Sequence, residues 1–300
     1  MELLSPKRVQ TFKAIREDEV FSLIKSISSQ KGSTINLSRS VASLSYSITS
    51  RAAFGKRNKD TERFKETQDE LNKLSSEFSL ADMFPSVKLL ELMSVSRFRI
   101  EKVHRQINGI LESIINEHKG KMQESAKQEG GEGKEDDLVD VLLKMQKRGD
   151  FEPQLTDTNV RAVILPRQTY QQCEINGYDI PAKADIIVNA WAIGRDPKYW
   201  IEAEKFNPSR FLDSEIDYRG NNFEYIPCGA GRRICPGISF SQAVIELALA
   251  QLLFHFDWKL LGEVKPEEFD MTENLGVTIR PRNDIQLIPI AYGGSCLIKG

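Results

Sequence analysis

Apolar residues recur at helical spacing along most of the first half of the chain. Spacing by three and four residues places apolar side chains on one face of a helix, and glycine commonly follows the last turn. Gly32 and Gly55 stand where two such runs end. The pattern predicts helices over 5–30, 36–54, 60–77, 94–119 and 138–147, the third of them on the surface, with a break at 80–85.

A further helix begins well and stops abruptly. Thr156 suits the N-cap position, and Val160, Val163 and Ile164 begin an apolar face. Pro166 then ends the helix after barely two turns, because proline lacks the N–H that the helix needs. We interpret this segment as a helix that has been interrupted.

After Pro166 the pattern changes to short strands and turns. Asn176-Gly177 lies between two alternating runs and predicts a hairpin, 185–189 predicts a buried strand, and 284–290 alternates as a strand. The sequence therefore predicts a mainly α fold with small β-sheets. We expect a helical region over 1–165 and a β-rich region over 166–300 that also holds a glycine-rich loop and an apolar helix, both within one structural domain.

The glycine-rich loop, 225–237, runs directly into the apolar helix at 238–254. That helix is apolar on nearly every face apart from Glu246, which predicts that it is largely buried. Pro236 suits the first helical position, so Cys235 would lie at or beside the N-cap. The helix dipole, Arg232 and Arg233 would then favour a Cys235 thiolate, which can be a nucleophile or a metal ligand. The loop glycines would let a flat or bulky group approach closely.

Composition narrows the class of protein. The chain has 41 Lys and Arg against 43 Asp and Glu, a net charge of -2, so no nucleic-acid partner is indicated. Its four cysteines form no C-x-x-C pair, which favours a reducing compartment. The Lys-, Glu- and Gly-rich stretch at 120–137 predicts a solvated loop. The N-terminus resembles neither a signal peptide nor an anchor, and no uninterrupted apolar run approaches the ~18 residues of a spanning helix, so we expect no membrane insertion.

The loop matches the pattern F-x-x-G-x-R-x-C-x-G at every position but the first. Gly231, Arg233, Cys235 and Gly237 are in register, and Cys228 stands where the pattern has Phe. This resembles the haem-binding signature of the cytochrome P-450 superfamily, and the flanking residues look like a plant family within it. Further stretches are similar to segments of that superfamily in the same order, at 165–167, 191–200, 206–211 and 221–225.

The resemblance implies a cytochrome P-450-like fold and a haem-thiolate monooxygenase. Cys235 would be the axial ligand of the iron of haem b, Arg233 and Arg167 would hold the propionates, and Arg210 would lock the segment before the loop. The reaction would insert one oxygen atom from O2 into a small lipophilic substrate, with NADPH electrons delivered through a flavoprotein reductase. The family location is the cytosolic face of the endoplasmic reticulum membrane. The remaining cofactor-binding positions would be Pro227, Gly229, Gly231 and Gly237.

The chain also departs from the family pattern. The Glu-x-x-Arg pair that partners the position of Arg210 is absent, which predicts an unsatisfied arginine, and so is the acid and alcohol pair that delivers protons. Both would fall near the Leu165-Pro166 junction, so we predict an incomplete fold that lacks part of the central helix and the Glu-x-x-Arg helix. No catalytic residue is identifiable. Ser209 stands where Glu is usual.

The family's N-terminal anchor, proline-rich hinge and Trp-x-x-x-Arg helix are also without counterparts in this sequence. Trp191 and Arg195 have the spacing of that last motif in a different context, so we treat the match as coincidence. A chain without the anchor is expected to be cytosolic.

Other interpretations fit the residues less well. Gly229 and Gly231 could begin a dinucleotide loop, but Ile234 replaces its third glycine. Cys228 fits no zinc pattern and is assigned to packing. The three histidines, His104, His118 and His255, lie in helical patterns and are assigned to the surface or to packing, and the acidic residues at 132–137 to a solvated loop.

The sequence thus predicts a haem-binding monooxygenase that is impaired or inactive in this form. The alternative is a non-catalytic splice or gene-model fragment that binds haem weakly or not at all. Substrate identity is not encoded in the surviving segments, among which the turn at 275–278 is the one candidate for the distal pocket.

Overall fold

The secondary structure is mostly helical, and its strands are short. The computed structural model describes residues 4–30, 32–55, 63, 64, 66, 67, 70, 95–125, 136–148, 167–186, 188–262, 264, 265, 268–274 and 280–292. The predicted interrupted helix at 155–166, the break at 80–85, the turn at 275–278 and most of the helix predicted at 60–77 lie outside these residues. The chain folds into two compact units, Met1–Leu4 with Asp157–Ser241, and Ser5–Thr156 with Gln242–Gly300.

The helices at 37–54, 138–148 and 238–255 lie within one residue of their predicted bounds. Within the described residues they are α1 (Pro6–Thr11), α2 (Lys13–Ser29), α3 (Leu37–Phe54), α4 (Val95–Ser125), α5 (Leu138–Arg148), α6 (Ala190–Ile193) and α7 (Ile238–His255), with 3₁₀ turns at Pro208–Phe211 and Gly231–Arg233. The strands are β1 (Ile35–Asn36), β2 (Arg167–Gln168), β3 (Cys173–Ile175), β4 (Tyr178–Ile180), β5 (Asp185–Ile186), β6 (Phe256–Leu260), β7 (Glu273–Asn274), β8 (Arg280–Pro281) and β9 (Gln286–Ala291).

Side-chain caps fix the ends of the N-terminal helices. Ser5 Oγ accepts a hydrogen bond from the Arg8 backbone N–H, and Asn36 Oδ1 accepts one from the Arg39 N–H at 2.9 Å. Gly55 adopts a φ of 74° and ends α3, as its position in the sequence predicts. The predicted single helix over 5–30 is instead two helices that meet at Phe12.

The larger unit has its core between α2, α3, α4 and the strand that follows α7. Apolar residues on the inward faces of these elements are almost completely buried. They include Val20, Ile24 and Ile27 of α2, Ile48 of α3, Val103 and Ile114 of α4, and Phe256 of β6. Strand β9 lies between β1 and β6 in an antiparallel sheet, so the predicted strand at 284–290 is confirmed.

Helix α4 continues six residues beyond its predicted end and includes Gly120. Lys121 forms an ion pair with Glu117 one turn earlier, which supports the added turn. The prediction of a solvated loop beginning at residue 120 is therefore wrong for its first six residues. It is also wrong at its other end, because Asp137 is buried beside α5.

The smaller unit consists of short hairpins and turns. Strands β3 and β4 pair around Asn176 and Gly177, whose φ values of 50° and 81° are those of the predicted hairpin turn. Strand β2 pairs with β5, with Arg167 opposite Ile186. The prediction of a buried strand at 185–189 is wrong, since β5 has two residues and the side chains of Ile186 and Val188 are exposed. Its ladder partner, β2, also has only two residues.

The prediction that α7 is largely buried is wrong as well. Ile245, Leu249 and Leu253 are 61%, 53% and 58% exposed, whereas Ala248 and Leu252 are buried. A helix that is apolar on all faces needs neighbours on all sides, and the described part of the chain packs against one side. By length and mean hydropathy, 1.3, α7 could also cross a membrane, contrary to the sequence expectation, although core helices of soluble proteins share these properties.

Candidate functional site

Three aromatic residues hold the segments that lead into the glycine-rich loop. The ring centroids of Trp200, Phe211 and Tyr225 lie 4.9 to 6.0 Å apart, and Trp200 is buried. Tilted and edge-to-face pairs at such distances are favourable. Each aromatic residue ends one of the three stretches that resemble the superfamily, so the cluster fixes the position of Tyr225, the first residue of the loop.

Arg210 stabilises the same segment in an unexpected way. Its Nη2 donates to the backbone carbonyls of Glu202 and Lys205 at 3.2 and 2.9 Å, and its Nε donates to the carbonyl of Asn207 at 3.1 Å. The guanidinium carbon also lies 5.6 Å from the Trp200 ring centroid. The prediction of an unsatisfied Arg210 is therefore wrong, because backbone carbonyls supply the acceptors that the missing glutamate would have offered.

The loop itself is closed by hydrogen bonds within its own backbone. Gly229 and Gly231 have φ values of 74° and 66°, which few other residues adopt. After the Gly231–Arg233 turn, the N–H of Ile234 donates to the Gly231 carbonyl at 3.1 Å. The N–H of Cys235 then donates to the Cys228 carbonyl at 2.9 Å. This last bond joins Cys235 to Cys228 across the intervening turn that contains both glycines.

Gly220 packs against the loop and was not identified from the sequence. A Cβ atom there would lie 2.9 Å from the Gly229 carbonyl oxygen, 3.0 Å from Ile234 Cδ1 and 3.1 Å from Ala230 Cα. Gly220 also has a φ of 83°. The signal that could have revealed it is its place in a tight turn, where Asn222 Oδ1 accepts a hydrogen bond from the Asp217 N–H.

Cys235 lies in a turn before α7 and is exposed. The helix begins at Ile238, and the Ile238 N–H bonds the Cys235 carbonyl at 3.4 Å. The prediction that Pro236 is the first helical residue is thus wrong. Pro236 and Gly237 form a turn because the chain changes direction between the loop and the helix, and Gly237 occupies the cap position. The Cys235 sulfur lies 3.7 Å from the position that a Gly237 Cβ would take, so a side chain at residue 237 would crowd it.

The surroundings of Cys235 are cationic and open. Arg232 and Arg233 are exposed, and within the described residues neither forms a hydrogen bond or an ion pair. Cys228 is half-buried, and the pKa of its thiol is raised, first by burial and second by the nearby Cys235. Gly231 has nothing within 4 Å of its Cβ position, so the top of the loop is accessible to a ligand.

The other predicted site residues divide into two groups. Pro227 lies exposed in the loop, together with the glycines and Arg233. Arg167 lies apart in the sequence, in β2, and only its backbone is among the described features. The structure thus gathers six of the seven predicted residues in one loop.

The donor set fits a haem-thiolate site. The exposed thiol of Cys235 suits an iron atom, and the glycines leave the face of the loop open to a flat macrocycle. Arg232 and Arg233, which have no partners among the described residues, suit carboxylate groups.

Arg195 has a structural environment. Its guanidinium carbon lies 4.5 Å from the Trp191 ring centroid, and its Nε lies 3.7 Å from Glu204 Oε2. These contacts lie within the segment before the loop, so they support the interpretation of the Trp-x-x-x-Arg spacing as coincidence.

The larger unit contains a buried polar cluster that was not predicted from the sequence. His118 Nδ1 lies 2.8 Å from Asp140 Oδ1 and 3.6 Å from Asp137 Oδ2. The His118 nitrogen and the two carboxylate oxygens lie within 4.8 Å of one another, a spacing that could hold a metal ion. His118 is, however, already hydrogen-bonded to Asp140 within the cluster. His118 is buried, so its assignment to packing is confirmed; His104 is exposed and hydrogen-bonded to Asn108.

Comparison with known proteins decides the family. A model of the family described as Cytochrome P450 matches residues 1–165 and 163–287. The chain belongs to the cytochrome P450 family. Among curated P450 relatives, tabersonine 16-hydroxylase 1 of Catharanthus roseus is 44% identical, with 98% of this chain and 72% of the relative covered. Tabersonine 6,7-epoxidase isoform 1 of the same plant is 42% identical, with 99% and 72% covered.

Solved P450 structures share the fold. A zebra fish cytochrome P450 with progesterone superposes with a TM-score of 0.72 at 17% sequence identity, covering 93% of this chain and 77% of that one. The predicted helix-rich P450 fold is confirmed. P450 enzymes are haem-thiolate monooxygenases that use haem b and electrons from NADPH through a reductase, so the predicted family, enzyme class and cofactors are confirmed.

The alignments also contain a discontinuity. The match to tabersonine 16-hydroxylase 1 runs over 369 positions, whereas this chain has 300 residues, so the alignment opens gaps in this chain. The match to the P450 family model breaks at 163–165, beside the Leu165-Pro166 junction.

Proposed function

We propose that the loop at 225–237 holds haem b, with Cys235 as the axial thiolate ligand. The observation that carries this proposal is the exposed position of Cys235 on a closed loop. It lies exposed on a loop closed by the 2.9 Å bond to Cys228, in register with the P450 signature. When bound, the haem supplies the oxygen-activating chemistry of the family.

The other loop residues would position the macrocycle. Arg233, exposed and without a partner among the described residues, would pair with one propionate, and Arg167 would pair with the second. Gly229, Gly231 and Gly237 keep the backbone bare where the ring approaches, and Pro227 stiffens the entrance to the loop. The cluster of Trp200, Phe211 and Tyr225 holds this arrangement from below.

The proposed substrate is a small lipophilic molecule. Two relatives are named for hydroxylation and epoxidation of tabersonine, so an alkaloid of that type is the first compound to test. Electrons would come from NADPH through a flavoprotein reductase, at the cytosolic face of the endoplasmic reticulum membrane.

We further propose that turnover by this chain is low because an internal segment is absent at Leu165-Pro166. The break in the family match and the gaps against the relatives support this interpretation. The acid and alcohol pair for proton delivery is missing from the sequence, so protons would reach bound oxygen slowly.

The exposed side of α7 favours a second candidate function, that of a non-catalytic haem-binding or interaction fragment. Ile245, Leu249 and Leu253 face outwards, although they belong to the helix that follows the haem loop. If the protein lacks the packing that a bound macrocycle needs, haem would bind weakly and exchange rapidly.

Reconstitution with haemin tests the proposed ligand. The reduced protein treated with carbon monoxide should show the red-shifted Soret band of a thiolate-ligated haem. Cys235→Ser should lose this band, whereas Cys173→Ser, a change of the same chemistry in β3, should keep it. An unchanged band in Cys235→Ser would show that another group binds the iron.

Haem stoichiometry and protease resistance separate the two candidate functions. One haem per chain in a protease-resistant protein supports the enzyme, while no haem with rapid digestion supports the fragment. Product formation from tabersonine with NADPH and a plant reductase, at a rate typical of P450 enzymes, would overturn the proposal of low turnover.

A further inference from the structure

The haem loop contains a second cysteine at its base. Cys228 occupies the position at which the P450 signature has Phe, and its carbonyl accepts the backbone hydrogen bond of Cys235 at 2.9 Å. Standard peptide dimensions then keep the two Cα atoms within about 7 Å of each other. Disulfides bridge Cα atoms over about 4.4 to 6.8 Å, so this hydrogen bond holds the two Cα atoms close to the range that a disulfide spans.

Local flexibility and access are also suitable. Cys235 is exposed, so a dissolved oxidant can reach its thiol. Cys228 is half-buried, and it lies close enough to Cys235 for that residue to add to the effect of burial, the larger cause, in raising the pKa of the Cys228 thiol. Gly229 and Gly231 between them allow the small backbone adjustment that closing the bond requires.

We propose that Cys228 and Cys235 form a reversible disulfide that competes with haem binding at this loop. A low-molecular-weight disulfide such as oxidised glutathione is the oxidant. The Cys235 thiolate attacks one of its sulfur atoms and releases one glutathione thiolate. The Cys228 thiolate then attacks the Cys235 sulfur of the mixed disulfide and releases the second. The two cysteines lose two protons and two electrons, and glutathione disulfide is reduced to two thiols.

The consequence for haem follows from the chemistry of the ligand. The axial ligand is a thiolate, and a sulfur bonded to a second sulfur has no thiolate to donate. The oxidised loop should therefore not ligate haem through Cys235, whereas the reduced loop should. This second part rests on the proposed function, while formation of the disulfide does not.

Trypsin provides a direct assay on the full-length, haem-free protein. Cleavage after Arg219, Arg232, Arg233 and Lys259 places Cys228 in peptide 220–232 and Cys235 in peptide 234–259. After equilibration with oxidised glutathione and alkylation of the remaining thiols, the two peptides should be recovered as one linked species. Intact protein should lose the mass of two hydrogen atoms, and dithiothreitol should reverse both changes.

Three variants make the assay specific. Cys228→Phe, which restores the residue of the signature, and Cys228→Ser should each abolish the link while leaving Cys235 open to alkylation. Cys173→Ser should leave the link intact. Peptides that remain separate at every ratio of oxidised to reduced glutathione, or a link that joins Cys173 or Cys296 instead, would overturn the proposal.

Haem titration of the two redox forms tests the competition. Reduced protein should bind haemin at least tenfold more tightly than oxidised protein, and Cys228→Phe should lose the difference. Equal binding by both forms in the presence of the link would refute the competition. If the disulfide forms but neither redox form binds haem, the disulfide is established and the proposed function is refuted instead.

Discussion

Asp137 Oδ1 accepts a hydrogen bond from the backbone N–H of Asp140 at 2.9 Å, while Asp137 Oδ2 lies 3.6 Å from His118 Nδ1. The carboxyl group therefore caps helix α5 and touches α4, and it is buried between them. Burial disfavours the charged form and raises the pKa of Asp137 to about 6, from an ordinary value of 3.8.

This raised pKa predicts that Asp137 makes stability fall as the pH rises. Between pH 3.8 and about 6 the folded protein keeps a proton that the unfolded chain releases, so this contribution is complete below that window and lost above it. Asp137→Asn keeps a good capping side chain and removes the buried charge. Its free energy of unfolding relative to the unmodified protein should therefore increase from pH 4 to pH 7, measured by urea denaturation.

Asp136→Asn controls for the change in net charge, because Asp136 is a neighbouring acid that pairs with Lys144 instead of His118. If the free energies of unfolding of both variants changed with pH in parallel, the cause would be the overall charge and not the burial of Asp137.

Arg210 should be needed for the stability of the segment before the loop at 225–237. Its three bonds to backbone carbonyls and its stacking on Trp200 are lost in Arg210→Ala, which should cost about 1–3 kcal/mol. Arg210→Lys should recover only part of this, because a single ammonium group cannot reach the same acceptors in a fork. Tryptophan fluorescence during denaturation provides the measurement.

Arg219→Ala serves as the matched control, since the Arg219 side chain is exposed and lies 3.9 Å from Asp217. A loss for Arg219→Ala as large as that for Arg210→Ala would mean that positive charge in the segment, and not the contacts of Arg210, supports its stability.

Local patterns predicted the parts of this fold that depend on neighbouring residues. The stop at Gly55 and the hairpin at Asn176 were both predicted, because each depends on side chains within four residues. Packing over longer distances was not predictable. The hydropathy of α7 indicates what would stabilise that helix, but it does not reveal whether another element covers Leu249.

The same distinction applies to the site. The spacing of the loop is the basis for proposing Cys235 and its glycines as site residues. Gly220 and the carbonyl acceptors of Arg210 were not predictable, because they depend on how the chain folds back over several residues. Arg210 also shows that a missing partner in sequence need not leave a charge unsatisfied, because backbone oxygen atoms can replace a carboxylate.

The two sides of α7 should respond differently to polar substitution. Leu252 is 7% exposed, so Leu252→Gln buries an amide and should destabilise the protein by several kcal/mol, on the order of 2–5. Leu249 is 53% exposed, so Leu249→Gln should change the free energy of unfolding by less than about 1 kcal/mol. It should also reduce binding of an apolar fluorescent dye, since it removes part of an exposed apolar surface. Equal destabilisation by both substitutions would mean that α7 is covered on both sides.

Gly220 lies against the loop at 225–237 and leaves no room there for a larger side chain. Gly177 and Gly220 have nearly the same φ, 81° and 83°, so alanine at either position meets similar backbone strain, about 1–2 kcal/mol. They differ in space, because a Cβ at Gly177 has nothing within 4 Å, whereas at Gly220 it meets the Gly229 carbonyl oxygen at 2.9 Å. Gly220→Ala should therefore destabilise the protein more than Gly177→Ala does, and it alone should weaken haemin binding, since the loop must move to make room. Thermal denaturation and haemin titration of the two variants measure these effects, and similar values for both would show that the loop does not depend on Gly220.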